Sequence, residues 1–207
     1  MPKLGMEPIR KAALVKATIL EIGRLRSLDV TVTQIAKRAG MSSALAHHYF
    51  GSKDEIFLAA MRHILTIYAA EVRGALMISK TARGRLEAIL RMSFSARNFY
   101  GESIGAWLNF YVLAQTAPKA ARLLAVYQRR LNSNLVHALR PLASDRATAI
   151  ALTLGALIDG VYLREALAPK APDGDAAVTI ILNYLDLELG RTSAPMISPS
   201  NSFGAPL

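Results

Sequence analysis

The sequence contains no cysteine, which rules out a disulfide framework, a thiolate metal site and cysteine-based catalysis. It also lacks the long apolar run of a membrane-spanning helix. The longest strongly apolar stretch without a charge, residues 147–158, falls short of the roughly 18–20 residues required. The N-terminus, MPKLGMEPIRKAALVKA, has no apolar segment of signal-peptide length, so a soluble, cytoplasmic protein with no membrane partner is expected. There is no P-loop, no Gly-x-Ser-x-Gly and no His-Glu-x-x-His, and His63 and His137 stand alone on helical faces. No enzyme activity, cofactor or metal site is therefore expected.

Acidic residues are scarce and unevenly placed. The net charge is +10. Residues 1–73 carry eleven Lys/Arg against six acids and residues 74–140 ten against two, whereas residues 141–207 carry four against seven. A basic N-terminal two-thirds points to a polyanionic partner, nucleic acid or an anionic membrane; a solvated basic surface is the plain alternative. The apolar share, 52%, suits a chain that buries a subunit interface as well as a core.

What is present is helical period almost throughout, without the sustained alternation of strands. Leu14, Ala17, Thr18 and Ile22 share one face of a first helix over about 7–25. Thr31-Val32-Thr33-Gln34 fits a capping box that opens a short second helix to Arg38, with Gly40 just past its end. Ser42 caps a third short helix to about Tyr49. Ser52 or Lys53 opens a long fourth helix to about Ile78 with Ile56, Ala60, Ile64 and Ile67 on one stripe. Further helices are expected over about 81–100, 103–115, 118–140, 144–168 and 173–189, punctuated by Pro118, Pro141 and Pro169-Lys170-Ala171-Pro172. Residues 191–207, rich in Ser, Pro and Gly, read as a disordered tail.

Function is concentrated in residues 31–56, TVTQIAKRAGMSSALAHHYFGSKDEI. Two short helices joined by Ala39-Gly40-Met41-Ser42 have helix-turn-helix spacing. Ile35 and Ala36 face the first helix, small Ala39 permits close approach, Gly40 makes the turn, and Met41 plugs the angle. A second helix held this way enters a major groove N-terminus first.

These residues carry a resemblance. Thr-x-x-x-Ile-Ala-x-x-Ala-Gly-x-Ser, then Tyr49-Phe50 and Lys53, is similar to the signature of the TetR family. The resemblance implies an all-α fold: an N-terminal three-helix helix-turn-helix DNA-binding domain and a larger helical-bundle domain for ligand binding and dimerisation. It implies a homodimeric repressor on a palindromic operator of double-stranded DNA, released by a small-molecule inducer. Within the family the chain most resembles the choline-responsive repressors of glycine betaine genes, through MPKLGM at 1–6, His48-Tyr49-Phe50, Ala60-Met61-Arg62, Ala106-Trp107-Leu108-x-Phe110, Arg129-Arg130-Leu131, Ser133-Asn134-Leu135 and ALIDGVYLR at 156–164. The likeness runs to about residue 189. Arg26 stands where the family usually ends its first helix with Gly, and Ala44 and His47 replace its common Gly and Tyr.

The implied division is a DNA-binding domain over 1–50, a sensing and dimerising domain over 51–190, and the tail. Candidate DNA contacts are Thr31 and Thr33 at the start of the second helix, Ser42, Ser43, Ala44, Leu45, His47 and His48 on the recognition helix, Tyr49 as the family's phosphate-binding aromatic, and Lys53 as a backbone clamp. The plain alternative is that either histidine packs or faces water and that Lys53 is solvated. For the inducer, Trp107, Phe110 and Tyr111 fall at i, i+3 and i+4, and Asp159 and Tyr162 share a face of another helix. Asp159 lies inside an apolar run and needs a partner. A quaternary ammonium such as choline would serve, held by aromatic faces near a negative charge. The bland alternative is ordinary core, with Asp159 paired to Arg164, capping backbone near Gly160 or reaching across a dimer. A hydrophobic drug or acyl compound is the rival inducer, and an unspecific basic scaffold the rival from another class. The last two long helices are expected to form a four-helix dimer interface, with Leu157 and Leu182 in it.

Overall fold

A computed structural model describes residues 5–190. Among these it has nine α-helices and no strand: α1 (Met6–Leu25), α2 (Val32–Arg38), α3 (Ser43–Phe50), α4 (Lys53–Ile78), α5 (Ala82–Ser93), α6 (Gly101–Thr116), α7 (Pro118–Ala143), α8 (Ala147–Leu167) and α9 (Gly174–Gly190). The tail expected at 191–207 lies outside the described residues.

Caps decide where the short helices begin. Thr31 accepts a hydrogen bond from the Gln34 amide while the Gln34 side chain takes the Thr31 amide, the reciprocal box expected. Ser42, Ser52 and Thr81 cap α3, α4 and α5 more simply, each side chain accepting from the amide three residues on. Gly40 adopts φ 68°, the left-handed turn between the two helices of the motif. Arg26 does the same at φ 50° after α1, so the helix ends where a glycine would end it, but on a residue with a Cβ.

One boundary differs from expectation. The helix expected over 81–100 stops at Ser93. The buried Asn98 side chain takes the Met92 carbonyl at 3.1 Å, satisfying the frayed helix end. Phe94 and Phe99 turn inward against the Tyr162 ring, with centroids 5.7 and 4.9 Å away. A shorter difference lies at Pro141, which sits inside the last turn of α7 rather than after it. Near a helix end the missing N–H removes little, and the turn closes at Ser144.

One core joins the head (α1–α3) to the body. Leu14, Ile22, Ile35 and Ala46 are buried between α1, α2 and α3, and Ile56, Phe57 and Ala60 of α4 continue that layer into the bundle. Two further ties fix the head. Glu21 of α1, 4% exposed, accepts hydrogen bonds from Arg24 and from Arg38 of α2. Burial alone would raise its carboxyl, but these arginines outweigh burial and hold it below the usual carboxylate value. At the second tie α1 crosses α6 at Gly23 and Gly105: a Cβ on Gly23 would lie 2.3 Å from the Glu102 Cα. Only glycine allows this approach.

Within 118–167 lies an 18-residue window with mean hydropathy 1.3, apolar enough by composition to cross a bilayer. Its apolarity has another use. Ile150, Leu154, Ile158 and Val161 of α8 are buried in the core, while Leu152, Leu163 and Leu167 face outward with Ile180 and Leu187 of α9. Leu157 and Leu182, expected at an interface, are half-buried against this chain's own core.

Candidate functional site

Two regions collect the candidate residues. On the head, Ser42, Ala44, His47 and His48 are exposed along α3, with Ser43, Leu45 and Tyr49 half-buried beside them and Ala46 alone turned fully inward. That is the pattern of a helix with one face against the core and one presented outward. Thr33 of α2 is also exposed and accepts a hydrogen bond from Ser43 at 3.1 Å, so the starts of the two helices lie together. The Thr31 hydroxyl donates to Gln34 and accepts from its amide, so its donor is spent inside the cap. The His47 Nδ1 faces the Gly51 carbonyl at 3.1 Å; it must donate there, which leaves Nε2 for another partner. His48 packs on Tyr49, with ring centroids 5.5 Å apart, and Lys11 of α1 lies over the Tyr49 ring at 5.8 Å. Lys53, at the N-terminus of α4, rests over the Phe57 ring at 5.5 Å. Donors, a helix N-terminus and cations thus share one exposed end of the molecule, the arrangement that suits a phosphate backbone beside a groove.

The second region lies inside the body. Trp107 of α6 touches Tyr127 of α7 at 4.9 Å between centroids and Tyr162 of α8 at 6.4 Å. Tyr68 of α4 meets Tyr127 edge-on at 6.0 Å. These four rings, with Ile64, Ser93 and Asn98, enclose a cavity of about 10 Å3, the room of one water molecule. Tyr162 donates to the Ser93 carbonyl at 2.6 Å, and the Tyr68 and Ser93 hydroxyls lie 3.2 Å apart. Burial pushes the Tyr68 phenol up to about 12, so it stays protonated.

Asp159 of α8 has the partner it needs. Tyr111 of α6 donates to its carboxylate at 2.7 Å, rather than Arg164 or local backbone. Burial raises the Asp159 carboxyl above its ordinary value, while the Tyr111 hydrogen bond pulls it down. Its charge reaches further, helping to raise the phenols of Tyr111, Tyr127 and Tyr162, for each of which burial is the larger cause. A carboxylate therefore sits against an aromatic cage.

Of the five residues expected around an inducer, Trp107 and Tyr162 line the cavity and Tyr111 with Asp159 flanks it. Phe110, 1% exposed, packs edge-on against Trp107 and is not part of the lining. Tyr68 and Tyr127 were not expected there. Each sits on the inward stripe of its helix, Tyr68 four residues after Ile64 and Tyr127 four before Leu131, where an aromatic reads as core.

Residues 26–60 match the family described as bacterial regulatory proteins of the tetR family, and residues 82–190 match the C-terminal domain of BetI-type transcriptional repressors. The HTH-type transcriptional regulator BetI of Brucella anthropi is 50% identical over 190 residues, covering 91% of this chain and 98% of that protein. Its namesake in Agrobacterium fabrum is 45% identical, covering 95% and 98%. These relatives are named as regulators, not enzymes. Among solved structures, a transcriptional regulator from Pseudomonas aeruginosa PAO1 superposes with TM-score 0.73 at 29% identity, covering 91% of this chain and 94% of that one. A regulator from Saccharomonospora viridis in complex with choline superposes with TM-score 0.75 at 20% identity, covering 85% and 95%, which at that identity speaks for the fold alone.

Proposed function

The chain belongs to the TetR family and is a BetI-type DNA-binding transcriptional repressor, and on that premise we propose that choline, or a ligand sharing its trimethylammonium group, releases it from its operator. The observation that carries the reading is the cage of Tyr68, Trp107, Tyr127 and Tyr162 with the Tyr111–Asp159 pair beside it. Aromatic faces and a nearby carboxylate are what a quaternary ammonium requires. The fold penalises the charged form of Asp159, and a bound cation would offset that penalty. The cavity is smaller than a trimethylammonium group, so entry must part the rings. Since they sit on four helices, parting them moves α4 and α6 together. The α4 helix carries Lys53, and α6 crosses α1. A ligand that prefers the parted arrangement thereby shifts the head away from its DNA-binding geometry.

We assign residues 1–50 to DNA and residues 51–190 to sensing and dimerisation. The outward leucines and isoleucine of α8 and α9 supply the dimer face, and two heads related by a two-fold axis read an inverted repeat about one DNA turn apart.

The test is fluorescence anisotropy on DNA from upstream of the gene. Choline should release the wild-type protein, and ethanolamine, which lacks the methyl groups, should act much more weakly. Trp107→Ala should bind DNA as wild type does but ignore choline. Lys53→Ala should weaken binding to all sequences alike, whereas changes at His48 should alter base preference. Full choline response in Trp107→Ala would refute the cage.

A further inference from the structure

A groove of about 470 Å3 opens between α4 and α7 on the outer side of the aromatic cage, with Tyr68 and Tyr127 as the shared wall. The size is that of a small-molecule site. Its floor is apolar, formed by residues such as Leu65, Val72 and Leu131, and its rim carries Arg62, Arg73 and Arg130. No acidic side chain lines it. Among the described residues neither Arg73 nor Arg130 makes an ion pair, and Arg62 enters only as a charge felt by Glu55, which hydrogen-bonds Lys119. By contrast, Arg83 pairs with Glu87 and Asp186, Arg97 with Glu71, and Arg146 with Glu188. Three arginines thus gather at this groove with no acidic side chain in its lining.

We propose that this groove is a second ligand site, for an amphipathic organic anion: a small molecule with one carboxylate or phosphate head and an aliphatic body. The apolar floor takes the body, and the guanidinium forks take the head in the bidentate manner that arginine favours. Three like charges exclude a cation such as choline, so the groove and the cage select opposite signs. The site is separate from the choline reading and stands or falls without it.

The probe is decanoate, below its micelle concentration, measured by titration calorimetry against decanol and decyltrimethylammonium. Decanoate should bind at least tenfold more tightly than either. The double variant Arg73→Gln/Arg130→Gln should lose at least tenfold in decanoate affinity, and Arg73→Lys/Arg130→Lys, which keeps the charge, should recover part of it. A thermal melt and DNA binding equal to wild type confirm that each variant is folded. Trp107→Ala, which reaches the groove only through the shared Tyr127 ring, should cost decanoate far less than the glutamine double variant does. Three results would each overturn the proposal: no decanoate binding at millimolar concentration, equal affinity for decanol, or binding lost in Trp107→Ala but kept in the glutamine double variant.

Discussion

The Tyr111 hydroxyl hydrogen-bonds the Asp159 carboxylate at 2.7 Å, joining α6 to α8 across 48 residues of chain. The pair answers a problem set by the sequence, a carboxylate in an apolar helix, without neutralising its charge. That leaves a cost in the folded state whose sign can be measured.

Burial raises the Asp159 carboxyl, so the folded state favours the protonated acid. This contribution to stability is present in full below about pH 4, the unfolded value, and is lost as pH rises through the raised folded value. Asp159→Asn carries no charge to desolvate. Its melting temperature should therefore exceed wild type by ~2 °C at pH 7 and match it near pH 3. Thermal melts across that range check it, and a variant less stable at pH 7 would show that the carboxylate is worth more as an anion than its burial costs. The same variant should need far more choline for release from DNA.

Gly23→Ala should damage the junction of head and body. The new Cβ would meet Glu102 backbone at 2.3 Å, and no side chain can move aside to relieve it. Overpacking of this kind costs about 1–3 kcal/mol, a fall of several degrees in melting temperature. Gly105→Ala, whose Cβ would lie 3.2 Å from the Gly23 Cα, should be milder.

Arg26 holds a left-handed backbone that glycine adopts without a Cβ clash. Arg26→Gly should raise the melting temperature by about 1–3 °C, the gain in strain exceeding the entropy lost by glycine on folding. Arg26→Ala keeps the strain and should show no gain, which separates backbone from charge.

The outward apolar residues of α8 and α9 predict a dimer in sedimentation at micromolar concentration. Leu152, 61% exposed, and Ile180, 55% exposed, lose no core packing on substitution. Leu152→Glu with Ile180→Glu should give folded monomer with weakened binding to an inverted repeat. Leu157→Glu would instead perturb this chain's own core. A dimer surviving the double change would place the interface elsewhere.

Local chemistry is what the sequence by itself determined. A capping box, a left-handed glycine and serine caps each act over three or four residues, so Thr31, Gly40, Ser42 and Ser52 mark their helices without reference to the rest of the chain. The apolar stripe of α1 and the head's exposed face on α3 follow from helical period in the same way. The end of α5 did not, because Asn98 and the Phe94–Phe99–Tyr162 cluster that stop it include a ring from α8. The cage is the same case on a larger scale. Trp107 stands out as the one tryptophan and Tyr162 by sharing a helical face with Asp159, but Tyr68 and Tyr127 lie on stripes indistinguishable from core until α4, α6, α7 and α8 are packed together. Only the tertiary structure decides which aromatic surrounds a cavity and which, like Phe110, fills one, because that depends on where four helices meet and not on the spacing along any of them.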